Sequence, residues 1–187
     1  MRDIHELDSQ AVYEAFLSKA AWQALPDGAP GKSLAEVALR GVLHALLDPC
    51  VAIDRLGGSD IFERFLAWAE QVRASMDWQV HLSLIEWLAA DEVYRERIAD
   101  EHLLEAMTAA ASRWAMLDRG PACGVVIGCR RLPDRIVVGW KCRAPDEGKR
   151  IEIVTVSELP APSRLIGWST TPRFDLDDVE PWSDVPP

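Results

Sequence analysis

Three groupings of side chains in this sequence have the chemistry to do more than fold. The first is His44, Asp48 and Cys50. An imidazole, a carboxylate and a thiol within one short stretch are the parts of a metal site or an activated nucleophile, and His44 and Asp48 share a helix face at four-residue spacing. No second ligand pair of matching spacing accompanies them, and a histidine near a helix C-terminus is favoured by the dipole alone. The second grouping is Cys123, Cys129 and Cys142, which neighbouring strands could bring together. They lack paired C-x-x-C spacing and an evident fourth ligand, so they read as small buried apolar groups and, with Cys50, as reduced thiols. The third is Gly31-Lys32-Ser33, the end of a phosphate-loop pattern. The glycine that pattern needs further upstream is replaced by Pro26, and a helix rather than a strand precedes it. Ser33 with Glu36 reads better as a capping box.

The remaining candidates also have structural explanations. His81 sits between apolar positions, where a lone histidine is expected to be a satisfied core residue. Glu101, His102 and Glu105 open a helix, where acidic residues complement the dipole. There is no G-x-S-x-G, no H-E-x-x-H, no glycine-rich dinucleotide turn and no kinase-like set. No catalytic residue, metal ligand or cofactor is therefore assigned. The unusual feature is eight tryptophans. Trp140, Trp168 and Trp182 fall in or after the strand region, where a partly exposed indole anchors protein interfaces. With Arg143 and Phe174 they form the expected partner-binding set.

The elements that must position these residues are mostly helices. Asp8 or Ser9 can cap a helix to about Leu25, broken by Pro26–Gly31. A second helix is expected over 34–47, ended by Asp48-Pro49. Cys50–Leu56 is a short apolar run closed by Gly57-Gly58. The stretch Ser59–Leu88 carries the densest set of large apolar side chains. In it, Ile61, Phe65, Trp68 and Val72 make one stripe of a central helix to about Ser75. Further helices are expected over 77–90, 91–100 (short and charged) and 101–117, stopped by Arg119-Gly120-Pro121. The period then changes. Strands are expected over 122–129, 135–142 and 150–156, with a short fourth at 165–168.

The expected fold class is α+β: a bundle of five to six helices over residues 1–118, a small antiparallel sheet of three to four strands packed on it over 119–170, and an acidic, proline-rich tail over 171–187. Such a tail is either disordered or laid along a surface groove, and Phe174, Leu176, Val179 and Trp182 favour partial docking on its own domain.

The 187 residues carry 30 acidic and 20 basic side chains, a net charge of −10, with 49% hydrophobic and 27% charged residues. That balance argues against nucleic-acid binding, which needs a cationic face. Residues 120–156 differ, with seven basic against four acidic side chains, a net of +3. No apolar run is long enough for a membrane span, and the polar start lacks a signal-peptide core, so a cytoplasmic protein is expected. The wealth of Arg and Ala suggests a bacterial source. The expected function is a non-catalytic protein-binding module, for example an immunity protein, inhibitor or adaptor for a partner with a basic surface. Two alternatives remain open. One is a small-molecule binder or enzyme with a pocket between helices and sheet, marked by converging groups such as His44, Arg135 and Lys141. The other is a structural subunit of a phage or secretion assembly.

Overall fold

The computed structural model describes residues 30–72, 77–141, 150–157, 159–176, 179 and 181–185. The helix expected before Pro26, together with Cys142 and Arg143, lies outside the described residues.

Helix α1, Pro30–Leu47, starts on a proline. A proline suits the first helical position because its missing N–H has no partner to lose there. Gly31-Lys32-Ser33 is thus the first turn of a helix, neither a phosphate loop nor a cap. Leu39, Leu43, Leu46 and Leu47 are buried along one stripe. The apolar run after Asp48-Pro49 is itself a helix, α2, Val51–Gly57. A 3-10 turn at Gly58–Asp60 leads into α3, Ile61–Val72. In α3, Phe65 and Trp68 are fully buried and Ile61, Phe62, Leu66 and Ala69 nearly so. Helix α4, Val80–Ala90, buries residues on most of its circumference, as a helix covered on several sides must.

The charged stretch 91–100 forms only a single turn, Glu92–Arg95, capped by Asp91, whose carboxylate accepts from the Val93 N–H at 2.8 Å. Tyr94 is buried there beneath the guanidinium groups of Arg64 and Arg97, 5.3 and 5.5 Å from its ring. Helix α5, Asp100–Leu117, is the junction of the molecule. It touches α2 and α4 on one side and the first three strands on the other. Small residues keep it slim: Ala106, Ala109, Ala110 and Ala111 are all buried around the helix, and Ala111 meets the sheet. Gly139 lies against the helix there, and a Cβ on it would fall 2.8 Å from the Ala111 carbonyl oxygen. The helix and the sheet can approach this closely only because neither carries bulk at that point.

The sheet has five strands in the order β3-β2-β1-β4-β5, each neighbouring pair antiparallel. The strands are β1 Gly124–Cys129, β2 Leu132–Trp140, β3 Arg150–Thr155, β4 Ile166–Thr171 and β5 Ser183–Asp184. Leu132 pairs with Cys129, so Arg130-Arg131 makes the turn; the register then shifts, and Pro133 and Asp134 sit in a bulge. A bulge accommodates a proline that a regular ladder would not.

This architecture corrects the expected one. The sheet has five strands instead of three to four, because two residues of the acidic tail add a fifth. The helices, five among the described residues beyond the single turn at Glu92–Arg95, fall short of the expected bundle. They are organised around α5 and the sheet. The sheet is also covered on both faces. Val125, Ile127, Cys129, Val137 and Ile166 join the helical core. On the opposite face Val126, Ile136, Val138 and Trp140 form a second cluster, closed by Val154, Val156, Leu159, Phe174, Leu176, Val179 and Trp182. Double coverage explains why every residue of β1 is buried and why β1 shows no polar alternation.

Candidate functional site

The side chains with the most chemistry are consumed by the fold. Cys50 is fully buried, and burial, together with the Glu105 charge, pushes its thiol up to about 12. A thiol in that setting stays protonated and inert. His44 and Asp48 are exposed, so the three residues do not converge. Glu105 reaches from α5 to the start of α2, where its carboxylate accepts from the N–H groups of Ala52 at 2.8 Å and Ile53 at 3.2 Å. It satisfies two of the donors that every helix N-terminus leaves open. His102 does a similar task at α5. Its Nδ1 accepts from the Ala99 N–H at 2.9 Å, the reciprocal half of a capping box in which a histidine takes the place of Glu or Gln.

His81 is 2% exposed, and its Nε2 faces the Leu46 carbonyl oxygen at 2.9 Å. A carbonyl only accepts, so Nε2 carries the proton and Nδ1 is bare. Nδ1 has no hydrogen-bond partner among the described residues. Burial lowers the histidine to about 4; the Leu46 carbonyl opposes this and the nearby Arg113 charge adds to it. The imidazole is therefore neutral at physiological pH, tying α4 to α1.

Arg135 and Lys141 do not frame a common pocket with His44. Arg135 pairs with Asp100 at 2.9 Å, at the start of α5. Lys141 donates to Asp118 at 2.6 Å and to the Gly120 carbonyl at 2.7 Å, past the end of α5, with its ammonium 4.7 Å from the Trp114 ring. An 18-residue helix separates the two, a rise of about 27 Å. Among the described residues no group of three or more His, Cys, Asp or Glu could hold a metal ion. No helix among them is long and apolar enough to cross a membrane.

The aromatic residues expected to meet a partner occupy defined places. Trp140 is 8% exposed, its indole lies over Gly124, and its Nε1 donates to Glu152 at 3.0 Å. Phe174 packs on it with ring centroids 6.1 Å apart. Trp182 is half-buried over Gly128 and Gly167. Trp168 faces the helices and meets Trp78 edge-on at 5.1 Å.

Among the described residues, one sheet edge remains unpaired. The β4 edge is closed: Glu86 accepts from the Ile166 N–H at 2.9 Å, and β5 pairs with Gly167 and Trp168. The β3 edge differs. The Val156 N–H bonds to the Asp134 carbonyl across the sheet, so by antiparallel alternation the backbone groups of Ile151, Ile153 and Thr155 point outward. Among the described residues nothing pairs with them. Ile153 is 56% exposed, and the Arg150 side chain is 75% exposed. A row of open donors and acceptors beside an exposed branched apolar side chain is a template for another strand. Sequence reading missed this feature because it placed β3 without knowing which strands flank it.

No curated protein sequence matches the chain. A family model does, over residues 22–186, a span that includes every described element. The chain belongs to the family described as methanobactin biosynthesis cassette protein MbnC-like.

Proposed function

We propose that the chain is a non-catalytic, partner-binding component of a biosynthetic cassette, and that the outer edge of β3 is where it takes hold. The observation that carries this reading is the open edge with its exposed Ile153, set against a β4 edge that Glu86 and β5 close. Proteins normally blunt such edges, so one left open on a sheet whose other edge is covered supports a docking role. The use of His81, His102 and Glu105 in helix anchoring, and the burial of Cys50, support a role in binding over one in bond-making. The family match supports a biosynthetic setting over toxin immunity or a particle subunit.

The partner is another protein encoded in the same cassette. An extended segment laid along β3 would gain main-chain hydrogen bonds at the outward groups of Ile151, Ile153 and Thr155, while Ile153 selects an apolar neighbour. The net charge of −10 favours a partner with a basic surface, since long-range charge complementarity speeds encounter. Co-expression with each of the other cassette proteins, followed by affinity purification through a tag on this chain, tests the proposal. A stoichiometric complex that survives gel filtration is expected. Elution alone, from every co-expression, would refute it.

A further inference from the structure

We infer that residues 182–185 are a resident peptide ligand, held in a recognition site on β4, and that they clip shut a detachable strap whose described residues are 172–176, 179 and 181–185. The site is built from several independent features. Gly128 of β1 and Gly167 of β4 are directly paired, which leaves a flat, side-chain-free floor on the outer face of the sheet. The Trp182 indole lies on it: a Cβ at Gly128 would fall 2.8 Å from the ring. Pro162 stands beside the same floor, its Cβ 2.8 Å from where a Gly167 side chain would begin. The indole Nε1–H donates to the Pro160 carbonyl. The next two residues add a strand, Ser183 opposite Trp168 and Asp184 opposite Gly167. The Ser163 hydroxyl donates to the Asp184 carboxylate at 2.6 Å, and Arg164 donates to the Val185 carbonyl at 3.2 Å. Val185 is fully buried in the main core. An aromatic in a shaped slot, a main-chain ladder, a charge contact and a terminal apolar anchor are the components of strand-addition recognition, here met within one chain.

The strap upstream of the clip is tied at its start, where the buried Thr171 hydroxyl meets the Arg173 and Asp175 carbonyl oxygens at 3.0 and 2.9 Å, and beyond that it rests on side chains that stay partly exposed. Phe174, Leu176 and Val179 are each only partly buried. The surface they close is not: Val126 and Val138 are fully buried and Ile136 nearly so. That cluster is separate from the helical core. Opening the strap would uncover a compact apolar patch and withdraw Val185 from the edge of the main core, while the α5–sheet contact at Ala111 and Gly139 involves no strap residue. The consequence rests on the partner-binding reading: a closed strap withholds this face from a partner and an open one offers it.

Hydrogen exchange on the full chain alone, read by mass spectrometry, tests the strap whether or not a partner exists. Amides of 174–185 are expected to exchange through local opening at least about tenfold faster than those of β1. Trp182→Ala removes the occupant and Gly128→Ala fills its floor. Each is expected to speed strap exchange by a further factor of about ten while leaving β1 and α5 unchanged. A labelled synthetic peptide copying residues 172–187 is expected to bind the W182A chain and not the wild type. Strap and β1 amides exchanging together would overturn the inference by making the strap part of one cooperative unit. Unchanged strap exchange in both variants, or no binding of the peptide to W182A, would overturn it equally.

Discussion

His81 carries a pH dependence whose sign follows from its burial. In the unfolded chain a histidine titrates near 6.5, whereas here it is held down to about 4. Between those values the unfolded state binds the proton and the folded state does not. Stability is therefore full above about pH 6.5, falls as the pH drops through that window, and levels off below about 4. The loss over the window is on the order of 3 kcal/mol. Denaturant titrations of the wild type and of His81→Gln at pH 4.5 and 7.5 check this, since the variant should lose most of the difference. At the same scale, Cys50 and Cys129 are buried and their thiols are raised, so both should resist alkylation in the native state at pH 8. Cys123 is partly exposed and should react first of the three, with peptide mass mapping as the readout. Sequence reading assigned His81 and the cysteines to structural roles because a lone histidine on an apolar stripe has few other uses. It could not find Glu105, whose partners lie 52 and 53 residues away and which looked like an ordinary first-turn acid.

Elements follow local pattern until a distant neighbour changes the rules. The tryptophan and phenylalanine spacing of α3 was legible, as was the change of period after Gly120. The run 50–56 was not legible as a helix: it is only two turns long, and its N-terminus is satisfied by Glu105 from another helix. Replacing Glu105 with Ala leaves those N–H groups unmet and should cost about 1–2 kcal/mol in thermal or denaturant unfolding. The start of β2 was misplaced because Pro133-Asp134 reads as a turn yet sits in a bulge. The α5–sheet contact depends on a missing side chain. Gly139→Ala would push a methyl into the Ala111 carbonyl and should destabilise the protein by about 1–3 kcal/mol. Equilibrium unfolding of the variant measures it, and a neutral result would mean that α5 does not pack as closely as described.

At the scale of the whole molecule, sequence reading expected a helical bundle carrying a small sheet and a trailing tail. The structure makes the sheet a shared wall, with helices on one face and the tail on the other. That difference was not legible because strand order and edge status are properties of pairing rather than of composition. The tail's Phe174, Leu176, Val179 and Trp182 did signal docking, but not that the tail would also supply a strand. Membership of a biosynthetic family then gives the open β3 edge a context that charge and composition alone had left among immunity, adaptor and structural roles. The most direct test uses one substitution at that edge. The Ile153 N–H points away from β2, so Ile153→Pro removes an outward donor and an exposed side chain while leaving the β2–β3 ladder intact, as an edge strand permits. The affinity of wild type and variant for the cassette protein that the proposed co-expression identifies should be compared by calorimetry, with thermal unfolding as a control for the fold. The account predicts an unfolding midpoint within a few degrees of wild type and binding weakened by about a hundredfold or more. Equal affinity in a folded variant would contradict it.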